Sequence, residues 1–469
     1  MNDLTKKKNN LPSTDFQKFE SFLTELGLPS ENIIAPPDER IRIMSGLKDL
    51  ILSLPDESKR NARYLSKFIA GSAVGLFDAS LNFVWNEVVL SLRKKVILYG
   101  LDIFFDSAVG ASLRSEYSTE EDLADLKDIV LLDNCFKLEL INDTLHKKLR
   151  HILDMRNNIG ASHPNSYDIK AFELLGWLQT CIEDVLHQET SASALTIQSI
   201  VSNLKKRNTQ LDKSTLDSFN ISIKEISTTM AGNLLKTLLG IFTDNKTSSI
   251  TRSNVLLIAP LVWDVAKDEH KYDLGEKVDV YRANLDQEKE NLADTFFEKC
   301  NGKKFFSLDT RIIRLSNLCI QLEKTHSEWD NFHFETPLAK EIMSYIHNAS
   351  DIPKERSEKI IRTFTICRVG REVSYNSGVS PGAKSHYNNF FSILDKTQVI
   401  TLLQILKDPI IHNGIYGSIK SKNLKEILKI IKTPQLGNRL NEVVDFLLKQ
   451  SRFDNVFLSK DFKNLVKNI

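Results

Sequence analysis

Residues 151–169, HILDMRNNIGASHPNSYDI, set Arg156, Asn157 and His163 at the end of an amphipathic helix and in the turn that follows. Arginine is a permanent cation with planar donors, an amide offers hydrogen-bond partners, and histidine carries a proton near neutral pH. The trio suits phosphate-ester chemistry on RNA. Metal-independent cleavage of RNA uses the ribose 2′-hydroxyl as nucleophile: its proton is removed, the leaving 5′-oxygen is protonated, and a charged pentacoordinate phosphorus is stabilised. His163 fits either proton-transfer role, because an ordinary histidine pKa of about 6.5 leaves both forms accessible. Arg156 fits the equatorial oxygens, where charge develops, and Asn157 fits the scissile phosphate or the imidazole.

One histidine fills one proton-transfer role at a time. The motif therefore predicts a second copy opposite the first, or water as the missing acid. Arg371 and His386 are spaced too widely to be that copy and lack the following asparagine. The expectation is a homodimer joined across the helices of 61–105 and 136–165. A plainer reading of the same residues is helix termination, where a cation and a polar turn are ordinary.

The elements that must position these residues are helical. Residues 61–105 form the first strong block, with Leu76, Phe77, Leu81, Val84, Val88 and Leu92 recurring at three- and four-residue spacing. Embedded in it, Asp78, Asn82 and Asn86 are spaced by four and stack along one face. A polar stripe there calls for partner helices, a dimer seam or an active-site wall, unless it is a solvated face. Ser118 and Glu121 have the spacing of a capping box opening a short helix. Longer helices are expected over about 136–158 and 168–189, completing an up-and-down bundle. Gly160 and Pro164 bracket the turn between them, so His163 sits in a short loop that can fold back towards Arg156. A continuous helix would hold the two about 10.5 Å apart along its axis.

The small polar stretch 191–200 reads as a connector, giving a boundary near 192. The organisation expected is an N-terminal helical extension (1–60), the bundle (61–192), a helical middle region (193–310) and a C-terminal recognition or regulatory domain (311–469). The middle region reads as helices at about 195–206, 212–240 and 282–299, with a strand or buried helix at 255–263. Asp264, Asp268, His270 and Asp273 lack a metal-ligand spacing, and no cofactor or metal is expected. In the C-terminal region, Gly370, Gly378 and Gly382 lie in a Gly- and Ser-rich loop without the Gly-Lys-Ser/Thr of a phosphate-binding loop. That loop reads as a specific turn, a partner-recognition surface, or both. His412 reads as structural.

Composition agrees with this picture. The 469 residues include only 18 Gly and 12 Pro, too little turn material for an all-β chain of this length. A net charge of +1 excludes a global field for polyanions, so an RNA site must be local. Residues 403–469 carry 12 Lys/Arg against 6 Asp/Glu, a basic excess that suits either solvation or nucleic acid. Cys135, Cys181, Cys300, Cys319 and Cys367 are scattered and form no C-x-x-C pair, as expected of reduced structural thiols. Residues 1–15 read as loose and carry no apolar signal-peptide core. The apolar run 95–113 is interrupted by Asp102 and Asp106 and reads as buried helix, not a membrane span. A cytoplasmic location follows as the expectation, and the tryptophans, Trp85 and Trp177 among them, read as core.

The stretch RNNIGASH, 156–163, resembles the signature of HEPN-domain proteins: arginine, a polar residue, several further residues, then histidine. The segment 76–95, LFDASLNFVWNEVVLSLRKK, is similar to the first bundle helix of HEPN proteins in bacterial abortive-infection and toxin systems. The resemblance spans about residues 61–190. It implies an all-α bundle of four or five helices, with the motif ending the third long helix and two protomers sharing one metal-independent ribonuclease site. Arg156 then becomes the phosphate clamp, Asn157 its polar companion and His163 the catalytic histidine, with Asp78, Asn82 and Asn86 in a supporting role or at the dimer seam. The implied partners are an RNA substrate, such as a tRNA loop, and a second copy of the chain, with a phage-derived activator or a cognate antitoxin as regulator. Six residues separate Arg156 from His163, and Pro164 stands where the family often has a small residue. The competing expectation is a non-catalytic relative that binds nucleotide, RNA or protein, or a helical scaffold.

Overall fold

In a computed structural model of the protein, residues 16–109, 113, 116–159, 167–187, 192–408, 411, 415–453 and 455–467 are described, and no strand occurs among them. Residues 1–15, expected to be loose, His163 with its flanking Gly160 and Pro164, and His412 lie outside the described residues. No helix among the described residues is long and apolar enough to cross a membrane. The chain divides into two compact units, residues 1–240 with 248–266 and residues 241–247 with 267–469.

The first unit contains α1 (Phe16–Glu25), α2 (Pro37–Ser53), α3 (Asp56–Asn61), α4 (Arg63–Val74), α5 (Phe77–Tyr99), α6 (Leu101–Ala108), α7 (Asp128–Lys137), α8 (Asp143–Ile159), α9 (Ala171–Gln179), α10 (Ala192–Lys206), α11 (Lys213–Glu225), α12 (Thr228–Thr243, in this unit through Gly240) and α13 (Ser249–Val265). The apolar block beginning at 61 is three helices, broken where Gly75 and Gly100 adopt φ of +97° and +127°. Those values lie outside the helical range of an L-residue, so each glycine ends a helix and re-aims the next. Between them α5 runs for 23 residues and buries Leu81, Val84, Trp85, Val88, Leu92, Val96 and Tyr99. It packs against α4, α7, α8, α9 and α10 and is the central helix of the unit. The apolar run 95–113 supplies the end of α5 and the buried Ile103, Phe104 and Phe105 of α6.

Several expected boundaries move, each for a local reason. Ser118 and Glu121 do not form a capping box: the Ser118 and Thr119 amides both donate to Asp122 Oδ2, each at 2.7 Å, and only a 3₁₀ turn follows. The helix expected from 136 is divided, because Glu139 is left-handed (φ 57°) and Asn142 Oδ1 accepts from the Leu145 amide at 2.8 Å, capping α8. Residues from 192 are helix and not connector. Ala194, Ile197, Ile200, Val201 and Leu204 form a buried stripe on α10, a helical period hidden among small polar residues. The run 255–263 is helix within α13, capped by Ser248 and tolerating Pro260. The span expected as one helix over 212–240 is α11 and α12. α9 continues into a π-helical turn, Thr180–Leu186.

The second unit contains α14 (Asp268–Ala283), α15 (Gln287–Lys299), α16 (Leu308–Ser327), α17 (Asn331–Ser344), α18 (Ser357–Val369), α19 (Pro381–Ser392), α20 (Lys396–Ile405), α21 (Ser418–Ile431), α22 (Asn438–Lys449) and α23 (Lys460–Lys467). Asp286 caps α15, so the helix expected from 282 begins at 287. α18 is the central helix here, burying Ile360, Ile361, Phe364 and Cys367 against α16, α19, α20 and α21. The Gly- and Ser-rich loop after it is a closed turn. The Arg371 amide donates to Gly378 O at 2.9 Å, and Asn376, Ser377 and Gly378 all have positive φ. A Cβ at Gly378 would lie 1.8 Å from Arg371 O, so only glycine fits. All five cysteines of the chain are free thiols and buried.

Candidate functional site

Arg156 lies in the last turn of α8, whose buried face is Leu145, Leu149, Ile152 and Leu153. That apolar face fixes the rotation of the helix against α5 and α7 and brings the guanidinium to the polar residues of both. Arg156 Nε donates to Asn82 Oδ1 at 3.1 Å, and Nη1 donates to Asn157 Oδ1 at 2.8 Å. Nη1 also stands 3.4 Å from Asp128 Oδ2 in the first turn of α7, an ion pair whose partners are each 24% exposed. The same carboxylate oxygen accepts from Trp85 Nε1 at 2.8 Å. One guanidinium thus joins α5, α7 and α8. Among the described residues no acceptor engages its Nη2, so a planar donor edge of a quarter-exposed cation is available to an anion.

The three residues of the α5 stripe do not share one role. Asn82 meets Arg156 and, through Nδ2, the carbonyl of Asp78 at 3.1 Å. Asp78 accepts from the Ala79 amide at the start of α5, at 2.8 Å, as an acid at a positive helix end should. Asn86 is half-buried one turn beyond Asn82. Glu87, adjacent to that stripe, accepts from the Tyr64 amide at 3.0 Å, and burial raises its pKa above the usual carboxyl value. Burial likewise lowers the pKa of the Lys95 ammonium farther along α5.

Asp128 and Trp85 are the members that sequence reasoning missed. Trp85 is fully buried, as expected of a core residue, but its indole N–H also orients the carboxylate facing the arginine. The only local signal for Asp128 is an acid in the first turn of an apolar helix, which is common at helix N-termini. The other expectation about tryptophan needs correction: Trp329, in the turn between α16 and α17, is 93% exposed. Its flanking residues Glu328 and Asp330 are polar, so no apolar partner covers it within the turn.

In the second unit Arg371 does not approximate a second motif, since its Nη2 donates to the carbonyls of His326 and Glu328. A different cluster is built there. Glu335, fully buried, accepts from His326 Nδ1 at 2.7 Å and Asn331 Nδ2 at 2.6 Å through Oε1, and from the Tyr387 hydroxyl at 2.8 Å through Oε2. Burial holds the Tyr387 phenol and the adjoining Cys367 thiol well above their ordinary pKa values. Among the described residues no group of three or more His, Cys, Asp or Glu side chains converges as a metal site.

Comparison with known protein families, curated proteins and solved structures finds no match to this chain.

Proposed function

We propose that the first unit is a HEPN-like, metal-independent endoribonuclease that cuts cellular RNA by 2′-hydroxyl attack, leaving 2′,3′-cyclic phosphate ends. The observation that carries this reading is the guanidinium of Arg156, held by Asn82 and Asn157 at the end of α8, with Nη2 meeting no acceptor among the described residues. A cation fixed in this way loses little freedom on meeting a phosphate, and such preorganisation is what stabilises a developing charge. Asn82 and Asn157 orient it, and Asp128, itself oriented by Trp85, limits how far it swings. His163 supplies the proton transfer, and a second protomer brings the second histidine, giving base and acid on opposite sides of the ribose phosphate. Single-stranded or looped RNA, a tRNA loop among the candidates, aligns most easily for in-line attack. The resemblance of 156–163 and 76–95 to toxin and abortive-infection proteins makes defence against phage the accompanying role, with a phage component or an antitoxin setting when the site acts.

One observation favours the second reading, a non-catalytic bundle that binds RNA, nucleotide or protein. Arg156 already has three internal acceptors, which is the arrangement of an arginine that simply ties three helices together. Incubating wild type, His163→Ala and Arg156→Ala with total cellular RNA in the presence of a chelator separates the two. The ribonuclease reading expects new 2′,3′-cyclic ends with wild type alone. Undiminished cutting by pure His163→Ala removes that residue from the mechanism, and cutting that requires added magnesium overturns metal independence. Specific activity should also fall when the protein is diluted below its dimer dissociation range; a fully active monomer overturns the shared site.

A further inference from the structure

In the second unit an exposed indole stands on a turn that the fold holds fast. Trp329 is 93% exposed, whereas Trp85, Trp177 and Trp263 are buried. The turn between α16 and α17 is fastened on both sides of it. Before the indole, Arg371 Nη2 donates to the carbonyls of His326 and Glu328. After it, Asn331 Nδ2 donates to the buried Glu335 at 2.6 Å, and Ser380 Oγ donates to the carbonyl of Phe332 at 2.8 Å. An aromatic ring on a braced backbone has little freedom left to lose on binding, which is what a docking anchor needs.

The loop that supplies Arg371 adds a second ring. Tyr375 is 70% exposed and stacks on Phe332, with ring centroids 5.5 Å apart, so it lies beside the same turn. The two residues after it, Asn376 and Ser377, are both left-handed without being glycine, with φ of 49° and 54°. Such backbone is costly and persists only where its surroundings enforce it; here Asn423 Nδ2 donates to the Ser377 carbonyl at 2.8 Å and the Val369 carbonyl at 2.9 Å. The charges of the loop are already spent. Arg371 serves the two carbonyls, and the Glu372 carboxylate accepts from the Ile419 and Lys420 amides. In the turn, by contrast, Glu328 and Asp330 flank the indole, and both are exposed. No hydrogen bond or ion pair engages either carboxylate among the described residues.

We propose that this face docks a basic protein segment, with an arginine laid over Trp329 and held by Glu328 and Asp330. A guanidinium is planar and weakly hydrated, so it stacks on an indole while its edge donates to carboxylates. Tyr375, backed by Phe332, extends the aromatic surface to a neighbouring residue of the segment. The same two carboxylates repel a phosphate backbone, so charge favours a cationic peptide over RNA at this face. The surface is independent of the ribonuclease reading, and loss of either leaves the other standing.

The test is acrylamide quenching of the full-length protein's tryptophan fluorescence, with and without an alternating Gly-Arg octapeptide. The other three tryptophans are buried, so quenching reports on Trp329. The expected result is that the peptide shields the indole. Anisotropy of the labelled peptide should show binding about tenfold weaker in Trp329→Ala, the loss of one desolvated cation–π contact. The double variant Glu328→Gln, Asp330→Asn should weaken it about fivefold, the worth of two exposed charge pairs. All three side chains are exposed, so the variants should keep the wild-type urea midpoint. A Gly-Lys octapeptide should bind a few-fold more weakly than Gly-Arg, and a Gly-Gln octapeptide should give no shielding. Absence of shielding by Gly-Arg overturns the proposal, as does undiminished binding by Trp329→Ala. Equal shielding by Gly-Gln would make the face blind to charge, equal affinity for Gly-Lys would remove the stacked guanidinium, and stronger shielding by oligouridylate would assign the face to RNA; each of these also overturns it.

Discussion

Arg156 in the first unit and Glu335 in the second each gather three polar partners, yet they sit in opposite solvent regimes. The Arg156–Asp128 pair is a quarter exposed, and water screens what it contributes to stability. Glu335 is fully buried, and the donors of His326, Asn331 and Tyr387 have no water to turn to if it is removed. The same number of polar partners therefore serves different ends. A half-open cluster costs the fold little and leaves a cation for an incoming ligand, whereas a closed one spends its whole bonding capacity on fixing α16, α17 and α19 together.

The comparison breaks first at Glu335. Glu335→Ala should destabilise the second unit by about 3–5 kcal/mol, the range for breaking one partner out of a buried polar network. Urea unfolding measures this, and a loss below about 1 kcal/mol, the size of an ordinary exposed contact, would show the cluster to be no more structural than Arg156. Arg156→Ala should lower the rate of RNA cutting by about 100-fold or more, the effect of losing one preorganised charge donor. Its stability should change by only about 1 kcal/mol. A large loss of stability with unchanged RNA behaviour would reverse the contrast. Asp128→Asn keeps the shape but removes the charge facing Arg156; RNA affinity should rise a few-fold while the cutting rate falls, because the guanidinium is freer and less well aimed. Filter binding and initial rates separate the two effects.

The smallest effect is on pH. Burial lowers the pKa of His347 below its ordinary 6.5, reinforced by Lys304 and opposed by Asp351, and burial with Lys340 does the same for His386. Below about pH 6.5 the unfolded chain takes up protons that the folded one resists, so the second unit loses stability as pH falls through that value and regains it on the way up. His347→Gln should flatten the slope of denaturation midpoint against pH between 5 and 7. An unchanged slope would assign the dependence elsewhere.

The helical class was legible because apolar residues repeat at helical spacing, and α8 with Arg156 in its last turn lies close to where the pattern put it. Breaks were harder to see. Glu139 interrupts a continuous pattern by turning left-handed, and the stripe of α10 is concealed by serine and alanine. The members of the site that escaped were those brought in from afar. Asp128 and Trp85 meet 43 residues apart, and Tyr387 reaches Glu335 across 52, by packing that no local period encodes. Trp329 escaped for the opposite reason: it follows a helical run, and only the turn that ends α16 exposes it.

The buried thiols give the molecule an internal clock. Cys135 and Cys181 belong to the first unit, and Cys300, Cys319 and Cys367 to the second. Burial pushes the Cys135 thiol up to about 12 and the Cys319 thiol up to about 11, so an alkylating reagent finds almost no thiolate until the surrounding helices part. Mass spectrometry of the labelled peptides then reads an opening rate for each half of the chain in a single unmodified sample. Rates that coincide would mark the 469 residues as one cooperative folding unit; rates that separate would mark two that come apart on their own schedules.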